Sequence, residues 1–227
     1  MTGHRTPFVV AIDGPAGAGK STAARRLAAR LGYSFLDTGA IYRAVALAAR
    51  RQGVDWADGP AVGALAAALD IAFAADGETN RVLIGDVDVT TDIRTPEVSE
   101  GASRVSAHGE VRAALLTLQR RLGAAGRVVA EGRDVGTVIF PDAPAKFFLT
   151  APAAERARRR TNELRSAGQA ADEAQVYEEM LVRDERDTTR AVAPLRKSDD
   201  AIEIDSRSLT ADEVVDRMVE VVRSRGG

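Results

Sequence analysis

The chain contains no cysteine. Disulfides, thiolate nucleophiles and zinc–thiolate sites are therefore excluded. Lysine is almost as scarce: Lys20, Lys146 and Lys197 are the three in 227 residues, and arginine supplies the other 28 basic side chains. Against that background an arginine reads as compositional bias until a motif surrounds it. The chain also lacks excess charge of one sign. A formal net charge of -2 provides no basic field to draw it toward nucleic acid or an anionic membrane. No apolar run approaches the length of a membrane-spanning helix. Met1 to Pro7 holds no apolar stretch of signal-peptide length. Together these absences predict a soluble cytoplasmic protein with small-molecule partners, no nucleic acid and no membrane. Repeats and low-complexity linkers are missing as well. The length suits one large domain, or a core carrying an insert.

What is present is concentrated near the start. Phe8 to Ile12 is a short apolar run ending in Asp13-Gly14, and it predicts a buried strand. It leads into Gly14-Pro15-Ala16-Gly17-Ala18-Gly19-Lys20-Ser21, which matches G-x-x-x-x-G-K-[ST] at every fixed position. A helix-period pattern follows, with Ala24, Leu27, Ala28 and Leu31 on one face and Gly32 as its stop. The chemistry requires this order. Glycines let consecutive backbone N–H groups converge on phosphate oxygens, and the helix directs its positive end at the anion. Lys20 is then the cation for the β- and γ-phosphates, and Ser21 the hydroxyl for Mg²⁺. Residues 14–22, Thr22 included, are the expected ATP-binding segment.

The remaining chain alternates strands and helices. Strands are expected at 33–36, 127–130, 146–149 and 201–204, and helices at 40–52, 110–122, 153–165, 172–190 and 211–223. This pattern implies a parallel sheet covered on both faces. The stretch from about 60 to 110 differs. It shows an alanine-rich helix, short antiparallel strands between 71 and 89 with turns at Asp76-Gly77 and Gly85-Asp86, and a helix at 95–107. The expected organisation is an α/β core of P-loop NTPase type, 1–59 and 111–227. It carries an inserted acceptor-binding α+β domain at 60–110 and a short helical lid near 153–170.

The phosphate loop alone leaves kinase, GTPase, motor and transporter subunit open. A late guanine-reading Asn-Lys-x-Asp segment is absent, and Glu131 after Val128-Val129-Ala130 only partly resembles the acid-tipped strand of a motor. The chain length leaves room for one further substrate site beside the loop. Asp37-Thr38-Gly39 and Glu131-Gly132-Arg133-Asp134 both follow strands, so both belong in the crevice at the strand carboxyl ends. Arg43, one turn beyond Gly39, can clamp an acceptor phosphate. Arg183, Arg186, Asp187 and Arg190 share a helix face, which fits either a substrate surface or a solvated ion-pair face.

Several blocks, in order, resemble the bacterial cytidylate kinases. They are Ile12-Asp13-Gly14-Pro15 with the phosphate loop, residues 37–43, Ile93-Arg94-Thr95, residues 132–143, residues 183–187 and residues 190–195. The resemblance covers essentially the whole chain and implies ATP-dependent phosphorylation of CMP and dCMP. It implies that Ser103, Arg112 and Asp134 read cytosine and that Arg43, Arg133 and Arg190 hold the CMP phosphate. Arg183 and Asp187 would face the ribose, and Thr38 and Tyr42 would line the pocket. The arginines at 156–160, Arg158 among them, would belong to a lid over ATP. Lys20, Arg133 and Arg190 would be the catalytic cations. The family often carries Gly-Lys-Gly-Thr where this chain has Gly19-Lys20-Ser21-Thr22, so two hydroxyls compete for the Mg²⁺ side. The cytosine assignment has a physical basis: arginine only donates, ionised aspartate only accepts, and uracil reverses the cytosine pattern at N3 and C4. Two alternatives remain at this stage. One is a kinase of another small acceptor such as UMP, AMP or shikimate; the other is a nucleotide-binding regulatory module without turnover. A monomer is expected.

Overall fold

The computed structural model describes residues 8–76, 79–166 and 168–227. Five strands, β1 (Val9–Asp13), β2 (Ser34–Asp37), β6 (Val128–Gly132), β7 (Ala145–Thr150) and β8 (Ile202–Asp205), form one sheet in the order β2-β6-β1-β7-β8. Every pair in it is parallel. β1 and β6 are apolar along nearly their whole length because both faces are covered. Alternate residues of β1 then divide between two cores. Val10 and Ile12 join α1 (Lys20–Leu31) and α8 (Ala211–Ser224) on one face. Val9 and Ala11 join Val135 and Ile139 on the other. The α/β core of P-loop type is the architecture seen.

A second sheet of three antiparallel strands, β3 (Ile71–Asp76), β4 (Thr79–Ile84) and β5 (Val87–Asp88), lies between α3 (Gly59–Ala68) and α4 (Pro96–Val105) in sequence. Gly85, at φ 56°, makes the β4–β5 turn. The expected Asp76-Gly77 turn runs into residues outside those described. These elements bury Val62, Ile71, Val82 and Val98 in one apolar cluster with Ile41, Val45 and Leu47 of α2 (Thr38–Arg51) and Leu115 of α5 (Gly109–Gly123). The segment is thus packed through α2 and α5 onto the helices that lead from the main sheet.

Two local features depart from the sequence expectation. Helix α2 begins at Thr38, two residues early, because the Asp37 carboxylate accepts from the Ala40 N–H at 3.0 Å and serves as N-cap. After β6 the chain forms one wide π-helical turn over Val135–Ile139. Its first N–H groups, those of Val135 and Gly136, both donate to the buried Asp13 carboxylate at 2.7 Å. Helices α6 (Ala153–Ser166) and α7 (Glu173–Thr189) pack together beside the sheet's carboxyl edge.

Candidate functional site

The strand register brings the functional loops together. Asp13 lies beside Gly132, and Asp37 beside Glu131, so the segments that follow β1, β2 and β6 open into one crevice. Gly14 has φ 147°, and a Cβ there would sit 2.0 Å from the Leu149 carbonyl oxygen of β7. Gly19, the N-cap of α1, takes the left-handed φ of 91°. The loop is therefore shaped by glycine at the positions where its backbone must approach a neighbour or reverse hand.

The crevice has a volume of about 340 Å³ and is lined by the loop together with Lys20, Arg43, Arg133, Arg160 and Arg183. Five cations line it, together with the carboxylates of Asp37, Glu100, Glu131, Glu163 and Glu179. Lys20 is buried and donates to the Pro15 carbonyl at 2.7 Å. Burial, and then the charges of Arg133 and Arg183, push its pKa down to about 7. The same two causes, burial and Arg133, bring Arg183 down to about 10. Positive charge on Lys20 and Arg183 is thus held at a cost, which an anion beside them relieves.

Arg43 and Arg133 are each held by a carboxylate. Arg43 donates to Asp37 at 2.6 Å, and Arg133 to Asp187 at 2.8 Å. Burial works to raise the Asp187 pKa, but Arg133 and Arg183 outweigh it and keep the carboxyl below its usual range. Deeper in, Asp134 receives Arg112 on one oxygen and Arg190, at 3.3 Å, on the other. All three side chains are less than a tenth exposed. The Arg112 guanidinium lies 5.4 Å from the Tyr42 ring centre, and the buried Tyr42 hydroxyl has no hydrogen-bond partner among the described residues. Arg190 also donates to the Ala193 carbonyl at 2.7 Å. Thr38 spends its hydroxyl on the Glu131 carbonyl at 2.7 Å, while Ser103 accepts from Arg186 at 2.7 Å.

Lys20, Ser21, Thr22, Arg43, Arg133 and Arg183 are thus brought around one cleft. Arg112, Asp134, Arg190 and Tyr42 form a buried cluster behind it. Arg158 is not brought in. It is more than half exposed and pairs with Glu155 of its own helix at 2.9 Å. Arg156 and Arg160, one turn apart, lie on the inner face instead. Arg156 donates to the Ala16 carbonyl of the phosphate loop at 2.9 Å, and Arg160 lines the cleft. Residue 158 is two positions from each and falls about 200° around the helix, a distinction the helical period already contained. Asp13, the brace beneath the loop after β6, was not singled out from sequence. Its one signal is its place immediately before Gly14.

Glu131 ends β6 at the floor of the cleft. Its Oε1 is buried without a hydrogen-bond partner among the described residues. Burial first, then Asp37, raises its pKa.

A model of the cytidylate kinase family matches residues 10–224. The cytidylate kinase of Methylococcus capsulatus is 52% identical over 216 residues, covering 95% of this chain and 97% of that protein. That of Citrifermentans bemidjiense is 50% identical over 217 residues, covering 96% and 93%. A crystal structure of an uncharacterized protein from Eubacterium ventriosum superimposes with a TM-score of 0.53 at 14% identity, covering 96% of this chain and 99% of that one, and shares the fold alone.

Proposed function

The chain belongs to the cytidylate kinase family, and on that premise we propose that it transfers the γ-phosphoryl group of ATP to CMP or dCMP, releasing ADP and CDP or dCDP. The observation that carries the reading is a phosphate loop opening onto an arginine-lined cleft, with the buried Arg112–Asp134–Arg190 cluster behind it. A phosphate loop accounts for the donor. Within the cluster Arg112 and Asp134 account for the base, because they offer cytosine donors for its ring acceptors and an acceptor for its amino group.

In the reaction an oxygen of the CMP phosphate attacks the γ-phosphorus. The bond from that phosphorus to the β–γ bridging oxygen breaks, and the electron pair leaves with ADP. The attacking oxygen is already anionic, so no general base is needed. The protein's contribution is position and charge. The loop N–H groups and Lys20 hold the donor phosphates, while Arg43, Arg133 and Arg190 orient the acceptor phosphate. Lys20 and the arginines offset charge on the transferred group. Arg183 and Asp187 face the ribose in this reading, Ser103 joins Arg112 and Asp134 at the base, and Thr38 and Tyr42 line the acceptor pocket.

A divalent cation fits the donor set. The orphaned Glu131 Oε1 and the Ser21 and Thr22 hydroxyls line the same cleft. Among the described residues no cluster of three or more ligating side chains can hold a metal by itself. Mg²⁺ requires none, since it binds through one or two protein groups and the substrate phosphates. Held there by the Glu131 carboxylate and the Ser21 or Thr22 hydroxyl, it would supply positive charge to offset that of the donor phosphates. Ser21 is the hydroxyl assigned to that side.

A monomeric, cytoplasmic enzyme without nucleic-acid or membrane partners completes the proposal. Support comes from the net charge of -2 and from the scatter of the large exposed apolar residues Val87, Leu181, Val182 and Val192. Among the described residues no helix is long and apolar enough to cross a membrane. The test is ADP release from MgATP with CMP, dCMP, UMP, AMP or shikimate as acceptor. Turnover with CMP and dCMP and at least about a hundredfold less with UMP is expected. Equal CMP and UMP rates would remove the base-reading argument, and no acceptor dependence would remove the kinase.

A further inference from the structure

We infer that Asp13 is a positioning residue for the acceptor base, holding the backbone beside Asp134 with both of its carboxylate oxygens; this rests on the reading of Asp134 as a base contact. Asp13 ends β1, is buried, and is not among the residues that line the cleft. Its side chain turns toward the π-helical turn 122 residues later. Oδ1 accepts from the Val135 N–H and Oδ2 from the Gly136 N–H, each at 2.7 Å. The peptide joining Asp134 to Val135 is thereby pinned at both ends. Its N–H goes to Asp13, and its carbonyl accepts from the N–H groups of Val138 and Ile139 at 2.9 and 3.1 Å. A planar peptide held at both ends fixes the backbone angle of Asp134, and so the direction in which its side chain leaves the chain. The carbonyl bonds stay within the turn. The Asp13 bonds tie the turn to β1, one residue before Gly14 opens the phosphate loop. Donor loop and base contact are thus set against each other through one carboxylate.

The brace requires an ionised group. Two N–H donors on consecutive residues need two acceptors, and a carboxylate presents both oxygens without a proton of its own. An amide has one oxygen, and its NH₂ would face the second N–H, donor against donor. The charge is kept at a cost. Burial, aided by the charge of Asp134, raises the Asp13 pKa to about 6 against the two N–H groups and Lys20. A group that served stability alone has no use for that charge at neutral pH, whereas two acceptors aimed at the turn require it. Gly136 leaves room for the contact. A Cβ there would stand 3.3 Å from Asp13 Oδ2 and 3.2 Å from the Lys146 Cδ.

The test is Asp13→Asn at pH 7, read as the CMP-to-UMP ratio of kcat/KM, with the KM for ATP and the melting temperature measured alongside. Asparagine keeps the shape and one acceptor. The ratio should fall at least about fivefold through a higher KM for CMP, while the KM for ATP stays within about twofold. The melting temperature should be no lower than that of the wild type, because a buried charge has been removed. A purely structural brace would instead lose stability and weaken both substrates together. An unchanged ratio, an equal loss toward CMP and ATP, or a lowered melting temperature overturns the inference and leaves cytosine reading intact. A wild-type enzyme that does not separate CMP from UMP sinks the base reading and this role with it. Gly136→Ala is the second variant, since it retains the carboxylate and both N–H groups but crowds Oδ2. It should lower the ratio in the same direction without changing the KM for ATP. Should Asp13→Asn fail to fold, Gly136→Ala decides, and an unchanged ratio there contradicts the brace.

Discussion

Asp134→Asn is the substitution whose cost follows most directly from the structure. Asp134 is the sole carboxylate in contact with both Arg112 and Arg190 among the described ion pairs, and the three side chains are nearly sealed from water. Asparagine preserves the shape and one acceptor oxygen but removes the charge. Two guanidinium groups then remain buried side by side without a counter-ion. Breaking a buried pair by neutralising one partner costs about 3–5 kcal/mol. The retained amide oxygen places this case near 3 kcal/mol. In a chain of this size that corresponds to a melting temperature lower by about 6–12 °C. The functional cost is separate. Loss of one charged hydrogen bond to the cytosine amino group removes about 1.5–3 kcal/mol, which is a fall of roughly 10- to 150-fold in kcat/KM for CMP. The KM for ATP should change by less than about threefold, because Asp134 is not among the residues that line the cleft at the phosphate loop. Calorimetry and ADP release on the same preparation measure both. Unchanged stability would refute the buried-charge argument. Equal losses toward CMP and ATP would refute the assignment of Asp134 to the base.

Three further outcomes follow from charges and faces. Lys20 has a pKa near 7 in the free protein, so at pH 8 it is largely neutral. Phosphates restore its charge, and ATP binding at pH 8 should take up about 0.9 proton, falling toward none at pH 6. Titration calorimetry in buffers of different ionisation enthalpy reads this uptake, and its absence at pH 8 contradicts the charge-storage account. Burial raises the Asp13 pKa from 3.8 to about 6, despite the N–H groups of Gly136 and Val135. Folding therefore favours the neutral form. The group's stabilising effect is full below about pH 4 and declines by about 3 kcal/mol as pH rises through 6. Asp13→Asn should abolish that decline in urea unfolding at pH 4 to 7, and identical pH profiles would contradict it. On α6, Arg160→Met should raise the KM for ATP about tenfold, whereas Arg158→Met should leave it within twofold. The reverse order would mean that the helix presents its other face to the donor.

How much was legible depended on whether a signal was local. β1, the phosphate loop and α1 follow from consecutive residues, an apolar run, glycines and a helical stripe, and the structure has them where the sequence put them. The start of α2 was missed by two residues because capping by Asp37 outweighed the apolar pattern that begins at Ala40. The π-helical turn had no local signal. It forms because Asp13, more than a hundred residues earlier, accepts its first two N–H groups. The same holds for the site. Residue types near the strand ends were readable, but the pairings of Arg112 with Asp134, Arg133 with Asp187 and Arg186 with Ser103 join different elements. Such pairings depend on tertiary packing and leave no mark in the spacing of one chain.

The central claim is phosphoryl transfer from ATP to a cytidine monophosphate. Its most direct test is to follow the label of γ-³²P-ATP during incubation with the protein, Mg²⁺ and CMP. The account predicts that label moves into the β-position of CDP, one for each ADP formed, and that UMP captures little of it. Label released as inorganic phosphate with no CDP formed, or carried into UDP as efficiently as into CDP, would contradict it.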